Sequence, residues 1–83
     1  MTAYSSLAAY LAHWCALQRE QRKNPAPANS PVLEEMNRVV RGILGEEARY
    51  LQEEPPDSAA RRHRDRAEVR LRRELIARGI ISE

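Results

Sequence analysis

The sequence predicts an all-α fold: a small three-helix antiparallel bundle, an αα-hairpin with a third long helix, open to completion by dimerisation. Three observations carry this expectation. Three stretches rich in Ala, Leu, Glu, Arg and Gln, all good helix formers, are separated by two clusters of Pro, Asn, Asp and Ser at 24–31 and 54–58. Within each stretch apolar residues recur at spacings of three and four, the repeat of one helix face. Nothing alternates with period two, and β-branched residues are sparse, so no strand is expected. At 83 residues the chain forms one domain, with helices at about 5–23, 31–53 and 58–78 and linkers at 24–30 and 54–57.

In the first helix Tyr4, Leu7, Leu11, Trp14 and Gln18 share a stripe, which Tyr10 and Leu17 widen on one side. Ser5 or Ser6 can cap its start, and Arg19, Arg22 and Lys23 sit where cations meet the negative end of the helix dipole. In the second, Ser30 serves as N-cap and Pro31 takes the first helical position, where a missing N–H costs nothing. Its apolar residues, Val32, Leu33, Met36, Val39, Val40, Ile43, Leu44, Tyr50 and Leu51, cover roughly 140° of the wheel, more than a two-helix seam needs. Gly42 and Gly45 read as weak spots or a slight kink; the alternative is close approach of another backbone. The third helix starts from Asp57 or Ser58 and stops at Gly79, with Ala60, Arg64, Ala67, Leu71, Leu75 and Arg78 on one stripe.

The expected core is Leu7, Leu11, Trp14, Met36, Val40, Ile43, Leu44, Leu51, Leu71 and Leu75. A hairpin turning near Pro55-Pro56 sets Val40 against Leu71 and Met36 against Leu75. It also sets Glu47 against Arg64, a structural ion pair that is partly buried. A similar turn near residue 27 places Trp14 by Val40, Leu11 by Ile43 and Tyr4 near Tyr50, with the Trp14 indole N–H reaching for an acceptor.

Signatures of chemistry are scarce. There is no G-x-S-x-G, no H-E-x-x-H and no glycine-rich phosphate loop, and the glycines number three. His13 and Cys15 are two apart, on different faces of one helix, and His63 sits among Arg61, Arg62 and Arg64, which disfavour a bound cation. One cysteine excludes an intramolecular disulfide and a Cys-rich zinc site. No catalytic, cofactor-binding or metal-binding residue is assigned, no small-molecule substrate is evident, and a non-enzymatic protein is expected. With no signal-like segment and no run of about 20 apolar residues, the chain reads as a cytoplasmic protein without a membrane partner.

Charge is more informative. Segment 46–57 holds five carboxylates against Arg49, a net of −4, while 61–78 holds eight Arg against three carboxylates, a net of +5. Arginine outnumbers lysine thirteen to one, which fits a GC-rich genome or selection for guanidinium contacts. Arg62, Arg66, Arg70 and Arg73 lie along the outward side of the third helix as candidate contacts to phosphate or to an acidic partner. The plainer account is a solvated helix with (i, i+4) pairs Arg61–Asp65, Arg64–Glu68, Glu68–Arg72 and Arg70–Glu74.

Apolar residues exceed what three helix stripes can bury. Val69 with Ile76, Tyr10 with Leu17 and Val32 with Val39 each lie seven apart, and Ile80 and Ile81 add to the surplus. Val69, Ile76, Tyr10, Leu17, Ile80 and Ile81 are therefore expected partner or dimer contacts, unless the tail folds back over Val69 and Ile76. The expected function is a helical protein–protein interaction module, self-associating as a homodimer or docking on a helical partner. The alternative is a nucleic-acid-associated regulator using the arginine face.

Overall fold

A computed structural model of the chain describes residues 3–23, 31–52 and 54–83. Helix α1 spans Leu7–Lys23, α2 spans Pro31–Leu44 and α3 spans Ser58–Ala77, with a 3₁₀ helix, Gly45–Leu51, directly after α2. The described residues contain no β-strand, only one isolated parallel bridge between Tyr4 and Ile81. The fold is all-α. The Ser30 cap, the 24–30 linker and Glu53 lie outside the described residues.

Local chemistry accounts for the helix ends. The Ser6 hydroxyl accepts the Ala9 N–H at 3.1 Å, so Ser6 caps α1. Asp57, in extended conformation, accepts the Ala60 N–H at 2.8 Å and starts α3. At the other end Gly79 has φ +72°, and the Gly79 and Ile80 N–H groups bond the Ile76 and Leu75 carbonyls at 3.0 and 2.9 Å. These two bonds form a Schellman motif, which satisfies carbonyls the helix end leaves open.

The second helix is shorter than its apolar spacing implies. It stops at Leu44, because Gly45 adopts φ +61°, and the chain continues as a 3₁₀ helix instead of running on to 53. A 3₁₀ helix repeats every three residues, so Ala48 and Leu51 point inward and Glu47 turns out to solvent. The expected Glu47–Arg64 ion pair is therefore absent: Arg64 binds Glu68 at 3.2 Å on its own helix. Gly42 has open space where a Cβ would stand, which removes the close-backbone alternative.

One core joins all the elements. Trp14, Val40, Ala67, Leu71 and Leu75 are 0% exposed, and Tyr10, Leu33, Met36, Ile43, Leu44, Ala48, Leu51 and Ile81 join them. Leu7 and Leu11 are only partly buried and pack on the edge of this cluster. The Trp14 indole N–H donates to Asn37 Oδ1 at 2.8 Å, so the largest buried side chain carries no unmet donor. Helix α3 packs on α2 and the 3₁₀ helix, and α1 packs on α2 and α3. The described residues span 36 × 35 × 19 Å, a slab about two helix diameters thick.

The chain ends are clasped together. Tyr4 N–H bonds the Ile80 carbonyl at 3.2 Å, and Ser82 N–H bonds the Tyr4 carbonyl at 3.1 Å. Glu83 accepts the Leu7 N–H at 2.8 Å through one carboxylate oxygen and meets Arg72 at 3.3 Å through the other. Tyr10 and Ile81, expected as partner contacts, are thereby core residues at 2% exposure. The tail docks beside Tyr4, not over Val69 and Ile76, which stay 50% and 40% exposed. Tyr4 does not pair with its expected neighbour Tyr50. It packs edge-on against Tyr10 with centroids 5.0 Å apart, while Tyr50 stacks on His63. The reason is that Tyr4 is extended backbone bridged to the tail, not the first turn of α1.

Candidate interaction surfaces

Two surfaces stand out, on different elements. The first is an apolar groove of about 460 Å³. Helix α2 supplies one wall through Val32, Glu35, Met36 and Val39, one stripe at spacings of three, four and seven from Val32. Tyr4, Tyr10, Pro31 and Ile80 complete its lining. Val32 stands 48% exposed at its edge. Glu35 is the one charged residue lining the groove, and it is bridged to Arg38 at 2.7 Å on the outer flank.

The hydroxyls in this groove have distinct surroundings. Tyr4 Oη lies 2.6 Å from His13 Nδ1 and 3.9 Å from Met36 Sδ. The Tyr10 hydroxyl makes no hydrogen bond among the described residues. Every fully buried side-chain polar atom of the described residues has a partner, so this hydroxyl, which has none, keeps some exposed surface. Burial first, then the neighbouring Tyr4 and Glu35, push its pKa up to about 12, with Arg78 opposing. At neutral pH it is protonated and able to donate a hydrogen bond.

The second surface is the outward side of α3. Arg62, Arg66, Arg70 and Arg73 are all exposed. Asp65, Arg66, Val69, Arg70, Arg73 and Glu74 border a shallow depression there. Of the (i, i+4) pairs read from the sequence, only Arg64–Glu68 forms; Glu74 turns to Arg78 at 3.7 Å and Arg72 to Glu83. Arg62, Arg66, Arg70 and Arg73 consequently have no ion pair or hydrogen bond among the described residues.

The remaining expected contacts divide by place. Val69 and Ile76 are exposed on the arginine face, whereas Leu17 and Ile80 are partly buried against the core. Sequence reasoning missed Tyr4, Pro31, Glu35 and Met36 as groove residues, Asn37 as the Trp14 acceptor and Glu83 as a clasp. Their common signal was weak, because each acts across elements distant in sequence. Cys15 is a half-buried free thiol, and no group of three or more His, Cys, Asp or Glu among the described residues could hold a metal ion. No helix among them is long and apolar enough to cross a membrane. No family model, curated protein or solved structure matches the chain.

Proposed function

We propose that this chain is a non-enzymatic helical interaction module that pairs with a second copy of itself across the α2 groove. The observation that carries this reading is the stripe Val32, Glu35, Met36 and Val39 lining an open apolar channel, with Val32 left 48% exposed. Such a stripe suits an antiparallel meeting of two α2 helices about a two-fold axis. Val32 of one copy then packs on Val39 of the other, and the axis runs between Glu35 and Met36. A two-fold contact must be self-complementary. An axis there brings the two Glu35 carboxylates near one another, and Arg38 of each copy, already 2.7 Å from its own Glu35, offsets their repulsion. The Tyr10 hydroxyl supplies a donor for an acceptor entering the groove.

Size supports the same reading. A domain this small buries only about 60–65% of the surface its unfolded chain exposes, so a second copy adds to a thin stability margin. In this arrangement α1, α2 and α3 form an antiparallel bundle, and the partner's α2 closes its open side. A reducing cytoplasm suits a protein whose one cysteine is a free thiol.

Sedimentation equilibrium with the full chain at about 100 μM tests this. The wild type is expected as a dimer, and Val32→Glu as a monomer with unchanged helical circular dichroism. The double variant Val69→Asp, Ile76→Asp is expected to remain dimeric. A monomeric wild type overturns the reading, as does a dimer broken by the α3 variant and not by Val32→Glu.

A further inference from the structure

We propose that the outward face of α3 binds the phosphate backbone of duplex nucleic acid, independently of the α2 groove. The carrying observation is that Arg62, Arg66, Arg70 and Arg73 are exposed and unpaired among the described residues, although carboxylates stand on the same helix. Glu68 is held by Arg64, Glu74 by Arg78, and Arg72 is drawn away to Glu83. Only Asp65 remains against the four free guanidinium groups. Unpaired cations this close repel one another, and a polyanion relieves that repulsion while releasing its own counterions.

Geometry favours a linear polyanion. The four arginines lie on successive turns of one helix, and at 1.5 Å per residue they cover about 16 Å. Over that length a duplex presents roughly ten phosphate charges. Guanidinium is suited to them because its planar fork donates two parallel bonds to one phosphate. A membrane surface fits less well. An interfacial helix must turn its apolar face into lipid. The apolar side of α3, Ala67, Leu71 and Leu75, is already 0% exposed in the core. An acidic protein would engage Val69 and Ile76 along with the arginines, whereas phosphate tracking needs the arginines alone.

The test titrates the full chain against a mixed-sequence DNA duplex, with anionic lipid vesicles and polyglutamate as the competing polyanions. Four phosphate contacts give a slope of log K against log salt near −3.6, so affinity falls roughly 150-fold between about 50 and 200 mM salt. Arg66→Gln with Arg70→Gln should halve that slope, leaving roughly a tenfold fall over the same range. Glutamine is a good helix former, and circular dichroism checks that α3 persists. Val69→Ser with Ile76→Ser should leave slope and affinity unchanged. The proposal is overturned by absence of duplex binding at the lower salt or by a slope indifferent to the arginine changes. Loss of binding on the Val69 and Ile76 changes, or tighter binding to vesicles or polyglutamate than to the duplex, overturns it as well.

Discussion

Helices α2 and α3 share one core but are held in it differently. Over 14 residues α2 buries Leu33, Met36, Val40, Ile43 and Leu44, while α3, with 20 residues, buries only Ala67, Leu71 and Leu75. What α3 lacks in buried stripe it gains at its ends: the Asp57 cap, the Schellman turn at Gly79, and the tail that carries Ile81 into the core beside Tyr4. A helix anchored by its ends and two leucines keeps most of its circumference free, and α3 uses that freedom to display charge. Helix α2 spends its circumference on packing, and the stripe left over becomes the groove.

The largest expected effect tests that contrast directly. Leu71 is 0% exposed and is one of two large anchors on α3, whereas Leu33 is one of five on α2. Leu71→Ala should cost about 3–5 kcal/mol and Leu33→Ala about 2–3 kcal/mol, by lost transfer free energy plus the cavity left behind. Chemical denaturation measures both. Against a total near 5–15 kcal/mol, the Leu71 variant is close to unfolding. If Leu33→Ala proves the more damaging, α3 is held chiefly by its ends and the two leucines matter less than their burial implies.

Much of this contrast is legible in the sequence. Asp57 and Gly79 mark the ends of α3 because a short side-chain acceptor and a residue free to take positive φ are local requirements. The arginine face was readable because one helix carries it, so a wheel is enough. Two things were hidden. Apolar spacing runs on from Val40 through Ile43 and Leu44 to Leu51, so periodicity alone passes through Gly45 without registering a change of helix type. That change moved Ala48 inward and Glu47 outward, and the Glu47–Arg64 pairing failed with it. The groove was hidden for another reason. Tyr4, Tyr10, Val32, Val39 and Ile80 come from both chain ends and α2, and no local period joins them. Val32 with Val39 and Tyr10 with Leu17 looked like separate seams, yet Val32, Val39 and Tyr10 converge on one channel while Leu17 packs elsewhere.

Alkaline titration sharpens the comparison at the end of α3. Tyr10 packs against Tyr4, feels the charges of Glu35 and Arg78, and is raised chiefly by burial to a pKa of about 12 from an ordinary 10.0. The folded state therefore favours the neutral phenol. Below pH 10 the contribution is fully present, because the phenol is protonated whether the chain is folded or not. Above that the unfolded chain ionises first, and stability falls by about 1.4 kcal/mol per pH unit until the folded group also titrates near 12. The expected loss is about 2–3 kcal/mol, read as the difference between wild type and Tyr10→Phe in denaturation at successive pH values. Other groups titrate in the same range, and the difference removes them. Parallel curves for the two proteins would show that the ring gains no stability from staying neutral.

The smallest effect separates α2 from its 3₁₀ continuation by one chemical change made twice. Gly42 and Gly45 are three residues apart, and at neither would a Cβ meet another described residue within 4 Å beyond its chain neighbours and its own helix backbone. Space therefore treats Gly→Ala alike at both positions, and only the backbone distinguishes them. Gly42 lies within an α-helical turn, where alanine is the better former by up to about 1 kcal/mol. Gly45 has φ +61°, where a Cβ crowds the following carbonyl at a cost of about 1–2 kcal/mol. Gly42→Ala should therefore raise the denaturation midpoint and Gly45→Ala lower it. An alanine at 45 could also avoid the penalty by carrying α2 onward as an α-helix. Glu47 would then rotate back toward the core and Ala48 out of it, so the relief would itself be opposed. Two substitutions of opposite sign confirm that the end of α2 is imposed by backbone conformation at Gly45. Two of the same sign would mean that packing of Ala48 and Leu51 sets the break, with Gly45 merely tolerating it.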